Sequence, residues 1–163
     1  MEDSYVLQLL KPKFKDFYLC FCGFAECEPL HSYGPATRPN YILHYVMKGK
    51  GIYQVGETKY HLKEGQAFLI EPESLTFYQA DKKDPWSYLW VGFGGTEAQR
   101  FVRDLGLNSR QLTCECKYGE ELKEIVFEML QHTHSTAENL YYLQGKLYQF
   151  FSVLARGIEI QQY

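Results

Sequence analysis

The chain has 163 residues, 45% of them apolar and 23% charged, enough for one globular core, which excludes disorder as the main state. Its net charge of −3 argues against a phosphate-binding surface for nucleic acid, and no apolar run approaches the roughly 18 residues of a membrane span. The start, Met1-Glu2-Asp3-Ser4-Tyr5, lacks the basic region of a secretory signal, so the five cysteines are expected as free thiols in a reducing cytoplasm.

In chain order, residues 16–24 read as an aromatic-rich strand. Residues 41–47 (YILHYVM) are a continuous apolar run with β-branched and aromatic members. Lys48-Gly49-Lys50-Gly51 then turns the chain. Short strands are expected near 52–55, at 59–62, at 67–70 and at 75–79. Gly56-Glu57, Lys63-Glu64-Gly65 and Pro72-Glu73 separate them. After the polar loop 81–85, residues 86–93 (WSYLWVGF) make another strand. Strands this close together predict an antiparallel barrel or sandwich.

From residue 96 the periodicity becomes helical. Thr96 is placed to cap a helix over 97–105, with Gly106 at its C′ position and Leu107 following. Residues 111–116 read as extended. Residues 120–133 set Leu122, Ile125, Val126, Met129 and Leu130 on one helix face. Ser135 with Glu138 matches a capping box for a last helix over 136–156. That helix carries Leu140, Leu143, Leu147, Tyr148, Phe150, Phe151 and Leu154. A stripe so wide fits either packing on its own sheet or a second subunit. Gly145 in its midst suits a close backbone approach.

Metal ligation is the first chemistry to weigh. His44 and His61 both fall on strands, but His44 is followed by Tyr45 and Val46. After Pro72 the chain offers Ser74, Thr76 and Phe77. One imidazole makes no strong transition-metal site, so no metal and no other cofactor is expected. His132-x-His134 lies at a helix end and reads as surface. Cys20-x-Cys22 and Cys114-x-Cys116 lack the usual zinc spacing and read as buried thiols. No nucleophile elbow or phosphate loop is present. Aromatic residues, however, reach 17%, with 14 tyrosines. Trp86, Tyr88 and Trp90 alternate, so one strand presents all three on one face. Tyr78 ends the preceding strand, and Arg38 precedes the first long one with a bidentate donor fork. Flat aromatic faces plus planar polar groups suit a sugar. Filling of the barrel by Trp86 and Trp90 is the alternative.

Three stretches resemble the sensor domain of AraC-type transcription regulators. They are residues 38–51 (RPNYILHYVMKGKG), 60–72 (YHLKEGQAFLIEP) and 86–93. The likeness runs over residues 15–155, with the tenor of the sugar-utilisation activators. It implies a mainly β, cupin-like antiparallel jelly-roll barrel over residues 1–95, followed by a helical dimerisation region over 96–163. It implies a mono- or oligosaccharide effector bound without metal by Arg38, Tyr78, Tyr88 and Trp90. In the arabinose-responsive member a histidine occupies the position of Tyr88. Residues 4–14 would be an arm that closes over the ligand. A homodimer would form through Leu140, Leu143, Leu147 and Phe151. DNA would be bound only by a helix-turn-helix domain, for which this chain shows no basic helical region, as in a fragment or a stand-alone sensor. The rival is a small cupin enzyme, a sugar isomerase or metal-dependent oxygenase, with His44 or His61 as its base. A filled barrel that only dimerises is the third reading.

Overall fold

A computed structural model describes residues 3–9 and 13–159. The strands among them are β1 (Asp3–Gln8), β2 (Tyr18–Glu26), β3 (Ser32–Ala36), β4 (Tyr41–Lys48), β5 (Lys50–Val55), β6 (Thr58–Lys63), β7 (Gln66–Ile70), β8 (Thr76–Ala80), β9 (Ser87–Gly94) and β10 (Thr113–Glu115). The helices are α1 (Ala98–Asp104), α2 (Gly119–Leu130) and α3 (Ala137–Leu154). One sheet runs β1-β2-β9-β4-β7-β10 and the other β3-β8-β5-β6. Every ladder between these strands is antiparallel.

The strand β4 shows why the larger sheet reads as a continuous apolar run. It lies between β9 and β7, with His44 opposite both Trp90 and Phe68, and Leu43 opposite both Val91 and Leu69. Successive side chains point to opposite faces. Ile42 and His44 face the barrel interior, with Tyr88 and Trp90 of β9. Leu43 and Tyr45, with Leu89, Val91 and Phe93, face the helices. Both faces are covered, so both sets are apolar. The interior is closed by rings from the two sheets, Phe68 of β7 meeting Tyr53 of β5 at 4.6 Å and Tyr78 of β8 at 5.5 Å.

The helices cover the outer face of the larger sheet, packing on β1, β2 and β9. Phe127 of α2 meets Phe24 of β2 at 5.2 Å. Phe17 is the hub at the other end, with rings of Phe101, Phe151 and Phe93 at 4.8, 4.9 and 5.8 Å. Gln144 of α3 donates to the Phe17 carbonyl at 2.6 Å. The α1 C-terminus ends as expected. Gly106 has φ +81, its N–H donates to Arg103 O, and that of Leu107 donates to Val102 O, the Schellman pattern.

Several expectations are corrected. Leu143 and Leu147, assigned to a dimer, are 2% and 0% exposed within this chain. Leu140 and Phe151 are half-buried, Phe151 against Phe17 and Phe93. The α3 stripe is therefore spent largely on its own sheet, and the outward positions are Tyr141 and Tyr148. A Cβ at Gly145 would meet nothing within 4 Å, so no close approach explains it in this chain. The α3 cap is Thr136, which accepts from Asn139 N–H at 3.1 Å, one residue after the expected Ser135. The helix α1 starts at Ala98, and Thr96 bonds Asp16 rather than capping. Two strands, β1 and β3, were not expected. The division at residue 95 is not clean either, because β10 adds to the barrel sheet on β7.

Candidate functional site

Between the sheets lies a cavity of about 330 Å³. Arg38, Tyr78, Tyr88 and Trp90 all line it, so the four residues selected from sequence come together. Their neighbours explain how each is held. Tyr78 stacks on Tyr33 of β3 at 5.6 Å. Arg38 Nη1 donates to Tyr33 Oη at 3.1 Å, and its guanidinium lies 5.3 Å from the Phe21 ring. The Arg38 carbonyl accepts from Glu73 N–H at 2.7 Å, which ties its loop to the turn after Pro72. Trp90 is half-buried and meets Tyr88 edge to face at 5.6 Å. Flat aromatic faces and a forked cationic donor are thus offered across one small volume.

The floor is packed shut. Trp86 shares the face of Tyr88 and Trp90 but is 0% exposed and stacks on Phe68 at 5.6 Å. It fills the barrel and does not line the cavity, whereas Trp90 does. Gly51 makes this possible, because a Cβ there would sit 2.5 Å from the Trp86 ring. Gly92 does the same for the cavity wall, where a Cβ would lie 2.3 Å from the Phe21 ring. Burial pushes the Tyr78 hydroxyl far above its ordinary range, with the Arg38 charge opposing in part. Tyr78 therefore acts as a neutral hydroxyl at every physiological pH.

Sequence reasoning missed part of the lining. Val6 and Gln8 of β1, Phe21 and Ala25 of β2, His31 and Tyr33 all contribute. The expected arm over 4–14 is, for its described part, largely the paired strand β1, with Val6 opposite Gly23 and Gln8 opposite Phe21. Residues 10–12 of that arm lie outside the described residues. His44, weighed as a metal ligand and as an enzymatic base, sits in the cavity floor. Burial first, and the Arg38 charge second, hold its pKa down to about 3. His61 is exposed on β6 and is not among the lining residues.

The residues present do not fit a barrel metal. His44 is surrounded by Phe68, Tyr78, Tyr88 and Trp90. Among the described residues no three His, Cys, Asp or Glu side chains gather as a metal would need. Cys20 and Cys22 lie on β2, Cys114 on β10 and Cys116 just after it, with three strands between β2 and β10, and none of the five cysteines forms a disulfide. Burial raises the Cys20 and Cys22 thiols to about 11 and 12. His132 stacks on Tyr142 at 3.8 Å and its Nδ1 lies 2.7 Å from the Glu128 carbonyl, while His134 is exposed. Among the described residues no helix is long and apolar enough to cross a membrane.

A two-sheet barrel, an aromatic cavity between its sheets and helices on its back define a small-molecule-binding barrel of the cupin type. The particular family follows from sequence. The AraC-like ligand binding domain family matches residues 19–151, and the chain belongs to it. Its relatives include the Msm operon regulatory protein of Streptococcus mutans. That protein is 32% identical over 81% of this chain and 48% of its own length. The lactose operon transcription activator of Staphylococcus xylosus is 30% identical over 59% of this chain and 36% of its own. The raffinose operon transcriptional regulatory protein RafR of Pediococcus pentosaceus is 37% identical over 45% of this chain and 27% of its own. The chain thus spans about half the length, or less, of the curated relatives it matches. Among solved structures, the protein YhaK from Escherichia coli superposes with a TM-score of 0.56 at 14% identity. It covers 71% of this chain and 52% of its own, a likeness of fold alone.

Proposed function

We propose that this chain is the effector-sensing domain of a cytoplasmic transcription regulator, and that its effector is a mono- or oligosaccharide bound without metal. The observation that carries this is the convergence of Arg38, Tyr78, Tyr88 and Trp90 on one cavity. The relatives whose printed names refer to raffinose and lactose operons support the choice of sugar. DNA contact belongs to a separate helix-turn-helix domain, and self-association to the outer face of α2 and α3. The ligand acts by shifting populations. It must bind one arrangement of barrel and helices better than another. The strand β9 is suited to transmit this, because Trp90 lines the cavity while Phe93 of the same strand meets Phe151 of α3 at 5.0 Å. An enzymatic role for His44 is disfavoured by its chemistry, since a base with a pKa near 3 holds a proton poorly at neutral pH.

The test is a thermal-shift screen against mono-, di- and trisaccharides, with and without divalent metals. A sugar at about 100 times its Kd adds about 2.7 kcal/mol, or roughly 5–10 °C in a domain of this size. Calorimetry then compares Trp90→Ala, expected to lose at least about tenfold in affinity with its fold intact. Equal affinity removes Trp90 from the site. A shift with metal alone returns the reading to a cupin enzyme, and no shift with any sugar discards the saccharide.

A further inference from the structure

The cavity floor carries one polar side chain whose hydrogen bonding is incomplete. His44 is 2% exposed, lines the cavity, and its Nδ1 is buried with no hydrogen-bond partner among the described residues. Its surroundings are rings. Phe68 lies parallel at 4.6 Å, and Tyr78, Tyr88 and Trp90 lie at 4.8, 4.9 and 6.2 Å. Nearly all buried polar groups are paired, and an unpaired one costs stability. Among the described residues no group bonds the His44 Nδ1, and a phenyl ring would stack on Phe68 equally well.

We propose that the His44 imidazole is the floor contact of the effector site, hydrogen-bonding a hydroxyl on the sugar edge that enters deepest and so selecting among saccharides. The proposal rests on the saccharide reading above. A turn about χ2 presents the unpaired nitrogen to the cavity. A neutral imidazole offers one N–H and one lone pair. A hydroxyl both donates and accepts, so it satisfies either tautomer. A carboxylate only accepts, and it brings a charge onto an aromatic floor that holds no cation. Arg38, the guanidinium of the cavity, is half-exposed and bonded to the exposed Tyr33. About 330 Å³ is at the small end of ligand cavities, about 300–1,000 Å³. One sugar ring therefore reaches His44, and further rings of an oligosaccharide lie toward the mouth. Trp90 and the tyrosines recognise that a ring is present, and His44 recognises which ring it is.

The experiment is a calorimetric cycle. Wild type, Trp90→Ala and His44→Phe are titrated with the saccharide panel and with single-deoxy analogues of whichever sugar binds. His44→Phe is expected to lose about 10–100-fold in affinity for that sugar. Its ligand-free thermal midpoint is expected to rise by about 2–4 °C, because the unpaired nitrogen is gone. One deoxy analogue is expected to bind wild type and His44→Phe alike. A merely structural histidine would give neither the gain in stability nor the analogue-specific loss. Equal affinity of wild type and His44→Phe for the parent sugar overturns this proposal and leaves the saccharide reading standing. Wild type that binds no saccharide overturns both. If His44→Phe does not fold, the ¹⁵N resonances of the His44 ring in wild type decide. They are expected to move on saturation with the sugar, and resonances that stay in place overturn the proposal.

Discussion

Replacing Leu147 by Ala separates two roles for the last helix. Leu147 has no exposed surface and sits on the inner face of α3 with Leu143 and Phe150. Leu→Ala in a packed core costs about 2–5 kcal/mol, the lost transfer energy plus the cavity left behind. In a domain of this length each kcal/mol moves the midpoint by about 2–4 °C, so a fall of roughly 4–20 °C is expected. The assay is differential scanning fluorimetry over about a hundredfold range of protein concentration, paired with sedimentation equilibrium. Burial within one chain predicts the same fall at every concentration and an unchanged oligomeric state below the transition. A midpoint loss that shrinks as concentration rises, or a reduced mass at an unchanged midpoint, would refute the reasoning. Leu147 would then belong to an interface between copies.

Gly51→Ala places a methyl group 2.5 Å from the Trp86 ring and 2.6 Å from the Gln79 carbonyl, where neither neighbour can yield. It is expected to lower stability in urea by about 1–3 kcal/mol, and wild-type stability would show that Trp86 is not held as described. Acid should destabilise the fold through His44. Its folded pKa of about 3 lies below the ordinary 6.5. Between those values the unfolded chain binds a proton that the folded one does not, so stability rises with pH across that window. The contribution is at most about 1.4 kcal/mol per pH unit. The titratable side chains facing His44 are Arg38, Tyr78 and Tyr88, and none is acidic. Denaturation of wild type and His44→Phe from pH 4 to 7 should show a shallower slope for the variant, and parallel curves would refute the assignment.

The paired strands β4 and β9, which line one wall of the cavity, were legible because their periodicity is local. The run YILHYVM and the alternation of Trp86, Tyr88 and Trp90 specify strands whatever surrounds them. Two strands were not. In β3 the pair Gly34-Pro35 reads as a breaker, yet an exposed edge strand tolerates both. In β1 the described residues pair with one neighbour only, so the short tail carries too little pattern to announce a strand. The α3 stripe shows a different limit. Helical spacing states which residues share a face, but not whose surface covers it, and Leu143 and Leu147 turned out to face their own sheet. The cap moved by one residue because Ser135 and Thr136 both offer a hydroxyl where a helix can start. His44 was visible as a strand histidine. Its place beside Trp90 depended on the register between β4 and β9, a long-range pairing that spacing along the chain does not encode.

The alternation along β4 and β9 has a consequence for how such a domain diversifies. Ile42, His44, Tyr88 and Trp90 form one column of side chains, and Leu43, Tyr45, Leu89 and Val91 form the other. A substitution in the first column alters what the barrel recognises without touching the second, which holds the helices. An insertion or deletion of a single residue in either strand would exchange the columns and lose both at once. Point replacement is therefore the open evolutionary route to a new effector, and length change in these two strands is closed.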